Sequence, residues 1–369
     1  MTLQRQITFW LGALFILILC LWLLSDILLP FIAGLVLAYF LDPVADWFEE
    51  KGVPRLAATL IILGTSIFAF VVLVLLLVPV LGDQIATFAE NLPENIKTLT
   101  ALFNNAAPDW LKQALASQTS ELSNSAGDFA GKIAGWAGTV LKSLLSGGLA
   151  VVNMLSLLVI TPIVAFYMLN DWDRMVAIVD GWLPRDQLET IRGLARQIDA
   201  AMAGFIRGQG IVCMILGLFY AFALIAVGLN FGLLIGLAAG FLSFVPYVGS
   251  LIGGVLSIGM ALVQFWPDWI LILVVVGIFV VGQFVEGNFL SPKLVGGRIG
   301  LHPVWLMFAL FAFGYLFGFV GLLLAVPLAA AVAVLTRFGL KQYLASKLYL
   351  GRPVREVKKS TRKTVKKGS

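Results

Sequence analysis

Seven stretches of this 369-residue chain contain no Asp, Glu, Lys or Arg: residues 6–25, 27–41, 56–82, 143–170, 208–267, 269–285 and 303–336. A helix of about 20 residues crosses a hydrocarbon core of about 30 Å, so most of these runs are long enough to span a bilayer. Inside lipid the backbone must bond to itself, which leaves helices as the natural form for such uninterrupted apolar runs. With 60% of residues hydrophobic and 12% charged, the sequence predicts an all-α polytopic membrane protein with about six spanning helices. The run at 27–41 is short and carries Pro30, which makes it the weakest span. The first run is long for the apolar part of a signal peptide, and no small-x-small cleavage pattern follows it, so it reads as a retained helix. Leu19 ahead of Cys20 also argues against a lipoprotein.

Composition narrows the chemistry as well. Cys20 and Cys213 are the only cysteines, both inside apolar runs, and His302 is the single histidine. Neither a disulfide framework nor a zinc site is expected from that set, and no cofactor is implied. A serine-histidine triad would have to be built at the edge of a membrane span, so the chain does not read as an enzyme.

Charge sets the expected orientation. Residues 337–369 carry eleven Lys or Arg against the single acid Glu356, which places this tail in the cytoplasm by the positive-inside rule. The tail reads as a topology signal, with contact to anionic membrane lipids the functional alternative, and no nucleic-acid partner is expected. Arg5 puts the N-terminus inside, and Lys51 and Arg55 return the loop at 42–55 to the same side. The domain organisation that follows is N-terminal membrane helices at 1–82, an external amphipathic insert at 83–140 and a transmembrane helix at 141–170. A cytoplasmic amphipathic segment at 171–209, a transport core at 210–336 and the basic tail at 337–369 complete it. In the two polar inserts, Ile85, Phe88, Leu92, Ile96, Leu99 and Leu102, and again Leu188, Ile191, Leu194, Ile198, Met202 and Phe205, recur at helical spacing. Such stripes pack on the protein, lie in the headgroup layer or form subunit contacts.

Two apolar segments, 231–263 and 303–335, are 33 residues each and are broken in the middle, the first at Phe244-Val245-Pro246-Tyr247-Val248-Gly249-Ser250 and the second at Phe317-Gly318-Phe319-Val320-Gly321. A straight helix of that length would measure about 50 Å, well beyond the bilayer core. Lys293 and Arg298 favour an inside location for the intervening loop, and that location requires the segments to be re-entrant helical hairpins of opposite sense. The result is an inverted repeat, 210–263 followed by 269–335. Seven identities at an offset of 72 residues, including Phe241 with Phe313 and Gly249 with Gly321, keep the two segments in register.

Interrupted segments in matching halves of a repeat point to a transport site. Pro246, Tyr247, Gly249, Ser250, Gly318 and Gly321 are therefore the expected substrate-binding or gating residues, close helix packing being the plainer role for the glycines. Glu286 directly follows a charge-free helix, where a carboxylate is costly unless paired or functional. Together with Gln283 and Asn288 it is the candidate for ion or proton coupling, unless it simply pairs with Lys293 or Arg298.

At Phe244-Val245-Pro246-Tyr247-Val248-Gly249, and at Gln283-Phe284-Val285-Glu286-Gly287-Asn288-Phe289-Leu290-Ser291-Pro292-Lys293-Leu294 and Gly300-Leu301-His302-Pro303, the chain resembles the AI-2E family of transporters. Pro30-Phe31-Ile32-Ala33-Gly34 and Gly321-Leu322-Leu323-Leu324-Ala325-Val326-Pro327 extend the likeness over nearly the whole length. The resemblance implies a bacterial inner-membrane transporter that exports a small polar solute, with the quorum-sensing signal autoinducer-2 as the namesake. Exchange of Na+ or Li+ for H+ is the alternative it carries, and a homo-oligomer, with a pentamer as its size, is the assembly it implies. From another class, a non-transporting membrane scaffold that recruits partners through the external insert and the tail is the competing reading.

Overall fold

The computed structural model describes residues 12, 23–106, 131–132, 135, 149–246, 248–295 and 302–350. Most of the first charge-free run and of the external insert beyond 106, Tyr247, Arg298 and the tail beyond 350 lie outside the described residues. In chain order the helices are α1 (Ser25–Glu50), α2 (Arg55–Ala106), α3 (Leu149–Asn170), α4 (Trp172–Gly181), α5 (Leu188–Ala226), α6 (Gly232–Leu242), α7 (Val248–Phe265), α8 (Trp269–Val285), α9 (Pro303–Ala345) and α10 (Lys347–Leu350). A π-helical segment, Glu286–Val295, continues directly from α8. Six helices are long and apolar enough to cross a membrane, and no strand occurs among the described residues. The expected all-α membrane protein is the fold observed.

Several elements run further than their apolar stretches. α1 continues through Pro30 and Pro43 as one 26-residue helix. α2 is 52 residues, about 78 Å at 1.5 Å per residue, so the span at 56–82 and the amphipathic stripe from Ile85 to Leu102 share one rod. α5 likewise joins the stripe from Leu188 to Phe205 to the apolar helix that follows.

Two packed groups result. Ala38 and Ala45 of α1, Ile62 and Leu63 of α2, and Ala165 and Leu169 of α3 form one buried cluster. Gly34 of α1 lies so close to α3 that a Cβ there would sit 2.7 Å from the Val164 side chain. The larger group is built on α5, whose Val212, Leu216, Tyr220 and Leu224 are buried with Ile235 and Ala239 of α6, Met260 and Ala261 of α7, and Ile272, Val275 and Phe279 of α8.

α6 lies antiparallel against α5 on a run of glycines. A Cβ on Gly232 would meet Leu224, one on Gly236 would overlap the Ala221 backbone, and one on Gly240 would overlap Gly217. The glycines are four residues apart and so share one face, and their absent side chains let the two backbones touch. The turn that reverses the chain uses Gly228 at φ 78° and Phe231 at φ 60°, the latter a left-handed conformation that a phenylalanine seldom adopts.

Both broken segments reverse direction. In the first, α6 and α7 are separate helices joined at residues 243–247. In the second, Gly318 takes φ 59° and ψ −138° inside α9, a conformation open to glycine alone. Beyond that kink a Cβ on Gly321 would overlap the carbonyl of Phe313, eight residues earlier, a separation of about 12 Å in a straight helix. Leu310 before the kink and Ala325 after it share one buried cluster, so α9 is a helical hairpin. The reversals at Pro246 and Gly318 keep the 72-residue offset, as do Gly249 and Gly321, which each press against the preceding arm of their own hairpin.

The hairpin mouths meet α5 at different levels, the first at its C-terminus and the second near its middle. Gln264, at the end of α7, bonds Gly228 and Asn230 just past the C-terminus of α5. Leu306, near the start of α9, packs instead in the cluster of Phe205, Ile206 and Val326. The first tip lies between the arms of the second hairpin: Val245 is buried with Leu310 and Ala325, and Phe244 packs edge-on to Phe205 at 5.8 Å.

Candidate functional site

Breaking a helix leaves backbone groups that must find partners away from lipid. At the first tip most are found locally. The amides of Ser243, Phe244, Val245 and Val248 donate to Ala239, Phe241, Leu242 and Val245, and the Ser243 hydroxyl also donates to the Ala239 carbonyl. The Ser243 carbonyl receives Gln209 Nε2 of α5 at 2.6 Å. Gln209 is 5% exposed and Ser243 3%, so this bond is sealed inside the protein. One residue earlier, Gly208 faces the carbonyl of Leu294, which a Cβ there would overlap. α5 is thus held at adjacent positions by the first hairpin and by the π-helical segment.

The π-helical segment begins at Glu286. Gln283 Nε2, three residues earlier, donates to Glu286 Oε2 at 2.8 Å and lies 3.4 Å from the Tyr220 hydroxyl. Tyr220 is fully buried and stacked on Phe279, with ring centroids 4.5 Å apart and planes 9° apart. Gly282 makes room for it, since a Cβ there would collide with the phenol. Tyr220, Gln283 and Glu286 therefore form a polar file running from the interior of α5 to the end of α8.

Of the residues singled out from sequence, Gln283 and Glu286 come together, whereas Asn288 donates to the Phe284 carbonyl of its own helix at 2.9 Å. Glu286 takes Gln283 as its hydrogen-bond donor; among the described residues it forms no ion pair with Lys293. Pro246 and Gly249 sit at the first tip, with Gly249 buried against Ser243 and Ala239. Ser250 follows on α7, Gly318 is exposed at the second reversal, and Gly321 is buried just after it. Tyr247 lies outside the described residues.

Three features escaped the sequence reading. One is Gln209, whose only sequence signal is an amide at the start of the charge-free run 208–267. Another is a charged lattice where the C-terminal half of α1 and the start of α2 meet the middle of α5. Asp42 accepts Arg55 Nη2 at 2.8 Å and Arg207 Nη2 at 2.9 Å on its two oxygens. Arg207 Nε also donates to the Tyr39 carbonyl at 2.6 Å, and Arg55 reaches Asp46, Glu49 and the Leu169 carbonyl. Asp42 and Arg207 are 165 residues apart, so no local pattern announces their meeting.

The remaining feature is a cleft of about 480 Å³ at the C-terminal end of α5, lined by the uncharged Gln84, Thr87, Asn91 and Asn95 of α2 with Asn230 and Gln264. Gln84 Oε1 accepts the Leu234 amide at 3.2 Å and Phe88 packs edge-on to Phe231 at 5.4 Å, so α2 is seated on the mouth of the first hairpin. The spacing of Gln84, Thr87, Asn91 and Asn95 puts them on one helical face, a signal visible in the sequence beside the apolar stripe.

Comparison with known proteins agrees with this architecture. The sequence pattern of the AI-2E family transporter matches residues 11–341. YrrI of Bacillus subtilis (strain 168) is 31% identical over 325 residues, covering 85% of this chain and 87% of YrrI. PerM of Escherichia coli (strain K12) is 25% identical over 321 residues, covering 84% and 86%. The protein sll0060 of Synechocystis is 29% identical over 314 residues, covering 82% and 85%. YrrI and sll0060 are transport proteins, and PerM a permease, by name alone.

Proposed function

The chain belongs to the AI-2E family of transporters, and from that premise we propose that it is a secondary transporter moving a small polar solute by alternating access, with the two hairpin tips as its gates. The observation that carries this reading is the placement of the hairpins. Their mouths meet α5 at different levels, the first at its C-terminus and the second near its middle, and the first tip lies between the arms of the second, an arrangement that suits a pair of gates on one pathway. Pro246, Tyr247, Gly249, Ser250, Gly318 and Gly321 are the gating residues in this scheme. The tip amides that already bond within the turn leave side chains and the second reversal as the groups that meet the solute. An autoinducer-2-like signal, moved outward across a bacterial inner membrane by a homo-oligomer with both termini in the cytoplasm, is the specific form of the proposal. Purified protein reconstituted in liposomes is expected to show saturable flux of such a solute under an imposed proton or sodium gradient. Absence of any solute or ion flux under every gradient would overturn it.

A second reading, exchange of Na+ or Li+ for H+, is favoured by one observation. Glu286 is a carboxylate at the end of an apolar helix, held by Gln283 beside the buried Tyr220 and without an ion-pair partner among the described residues. Glu286→Gln keeps a side chain of the same size and removes the proton-carrying group. An antiporter loses exchange with that change, whereas solute flux that persists unaltered supports the first reading.

A further inference from the structure

Beside the charged lattice lies a chamber of about 510 Å³ between α1, α5 and the π-helical segment, open to solvent at Trp172, Asp199 and Lys293 and within the size range of small-molecule sites. Its polar lining is Tyr39, Asp42, Asp199, Arg207 and Lys293, with Trp172 at one side. The lining holds two carboxylates and two cations, but they are not matched pairwise. Asp42 and Arg207 bond each other at 2.9 Å. Asp199 accepts only the neutral Tyr39 hydroxyl, at 2.7 Å on Oδ1, and neither Asp199 nor Lys293 has an ion-pair partner among the described residues.

From this arrangement we infer that the chamber is a binding site for a small zwitterion of the α-amino-acid class, its ammonium taken by Asp199 and its carboxylate by Lys293. A ligand of one sign would be attracted to one of these groups and repelled by the other, whereas a zwitterion satisfies both. The two charges stand on different elements, Asp199 on α5 and Lys293 on the π-helical segment, so a ligand that pairs with both bridges them. The rings of Tyr39 and Trp172, edge-on with centroids 6.4 Å apart, together with Ile211, offer an apolar wall to the ligand's side chain. That wall favours an aliphatic or aromatic amino acid over a small polar one.

Binding is independent of any gradient, so the site is testable apart from transport. Equilibrium dialysis of the full-length protein in detergent would use radiolabelled L-leucine, with 3-methylbutylamine and 4-methylpentanoate as analogues lacking the carboxylate and the amine. Leucine is expected to bind saturably and more tightly than either analogue, and Asp199→Asn and Lys293→Gln are each expected to weaken it by about tenfold, the equivalent of one charge-assisted contact. Asparagine at 199 keeps an acceptor for the Tyr39 hydroxyl, and unchanged thermal unfolding of both variants confirms an intact fold. No saturable leucine binding, equal binding of the analogues, or unchanged affinity in either variant overturns the proposal. Failure here leaves the flux assay untouched, and absence of flux leaves leucine binding standing.

Discussion

Gln209 Nε2 donates to the Ser243 carbonyl at 2.6 Å, joining the middle of the longest core helix to the exact point where the first hairpin turns. The bond meets a tip carbonyl for which the turn supplies no backbone donor among the described residues, and both residues are buried. A tip held by an amide is fixed in direction without the cost of burying a charge.

Replacing Gln209 by Leu leaves that carbonyl buried and unpaired, a loss of about 1–3 kcal/mol. The variant is expected to unfold at lower temperature in detergent and to lose flux. Gln209→Glu keeps the size but puts an acceptor against an acceptor, and it is expected to be the worse of the two. Thermal unfolding followed by fluorescence, in parallel with liposome flux, checks both.

Gly321→Ala places a methyl against the carbonyl of Phe313 and the side chain of Phe317, and the second hairpin must open to admit it. Severe destabilisation is expected, above about 2 kcal/mol, since the obstacle is backbone. Gly339→Ala, in the same helix with nothing within 4 Å of the new methyl, is the control and is expected to be neutral or stabilising by up to about 1 kcal/mol. Equal thermal stabilities for the two variants would contradict the packing role of Gly321.

The Asp42–Arg207 pair joins the N-terminal helices to α5 through side chains about a third exposed. Screening limits its contribution, and a double-mutant cycle with Asp42→Asn and Arg207→Gln is expected to give a coupling of about 1 kcal/mol or less. Because Asp42 also holds Arg55, Asp42→Asn alone should cost more than Arg207→Gln. Chemical denaturation of the four proteins measures the cycle.

Asp180, in the last turn of α4, is held below the usual carboxylate range by the hydrogen bond from the Arg192 guanidinium of α5, with distances of 2.7 and 2.8 Å to its two oxygens. A depressed folded-state pKa stabilises above the unfolded value of about 3.9 and ceases to do so as pH falls through the folded value. The hydrogen-exchange protection factor at the α4–α5 junction, corrected for the intrinsic pH dependence of amide exchange, is therefore expected to be flat from neutral pH down to about pH 4 and to fall below it. Asp180→Asn should abolish that acid-side change, and a change centred near neutral pH would contradict the assignment.

How much of this was legible beforehand depends on sequence distance. The reversals at Pro246 and Gly318 could be read because glycine and proline mark them and because the apolar runs are too long for a single crossing. Gln283 and Glu286 could be paired because they are three residues apart, one helical turn. The glycines at 232, 236 and 240 showed their shared face, but not that Ala221 and Gly217 would receive them. The lattice of Asp42, Arg55 and Arg207, and the grip of Gln209 on Ser243, arise only when separate helices are brought side by side, and no periodicity encodes that choice. Asn288 is a local case: it stands in the same polar stretch, and its side chain donates to the Phe284 carbonyl of its own helix.

The glycine-lined seam between α5 and α6 also divides the core into parts that differ in how readily they can slide. Where backbones interlock at Gly217 with Gly240 and at Ala221 with Gly236, relative displacement would drive main chain into main chain, so the two helices travel as one body. Val245 meets Leu310 and Ala325 in a buried apolar cluster, with no such glycine interlock of main chains there among the described residues, so the boundary between that body and the second hairpin is the one at which a displacement would meet less main-chain obstruction.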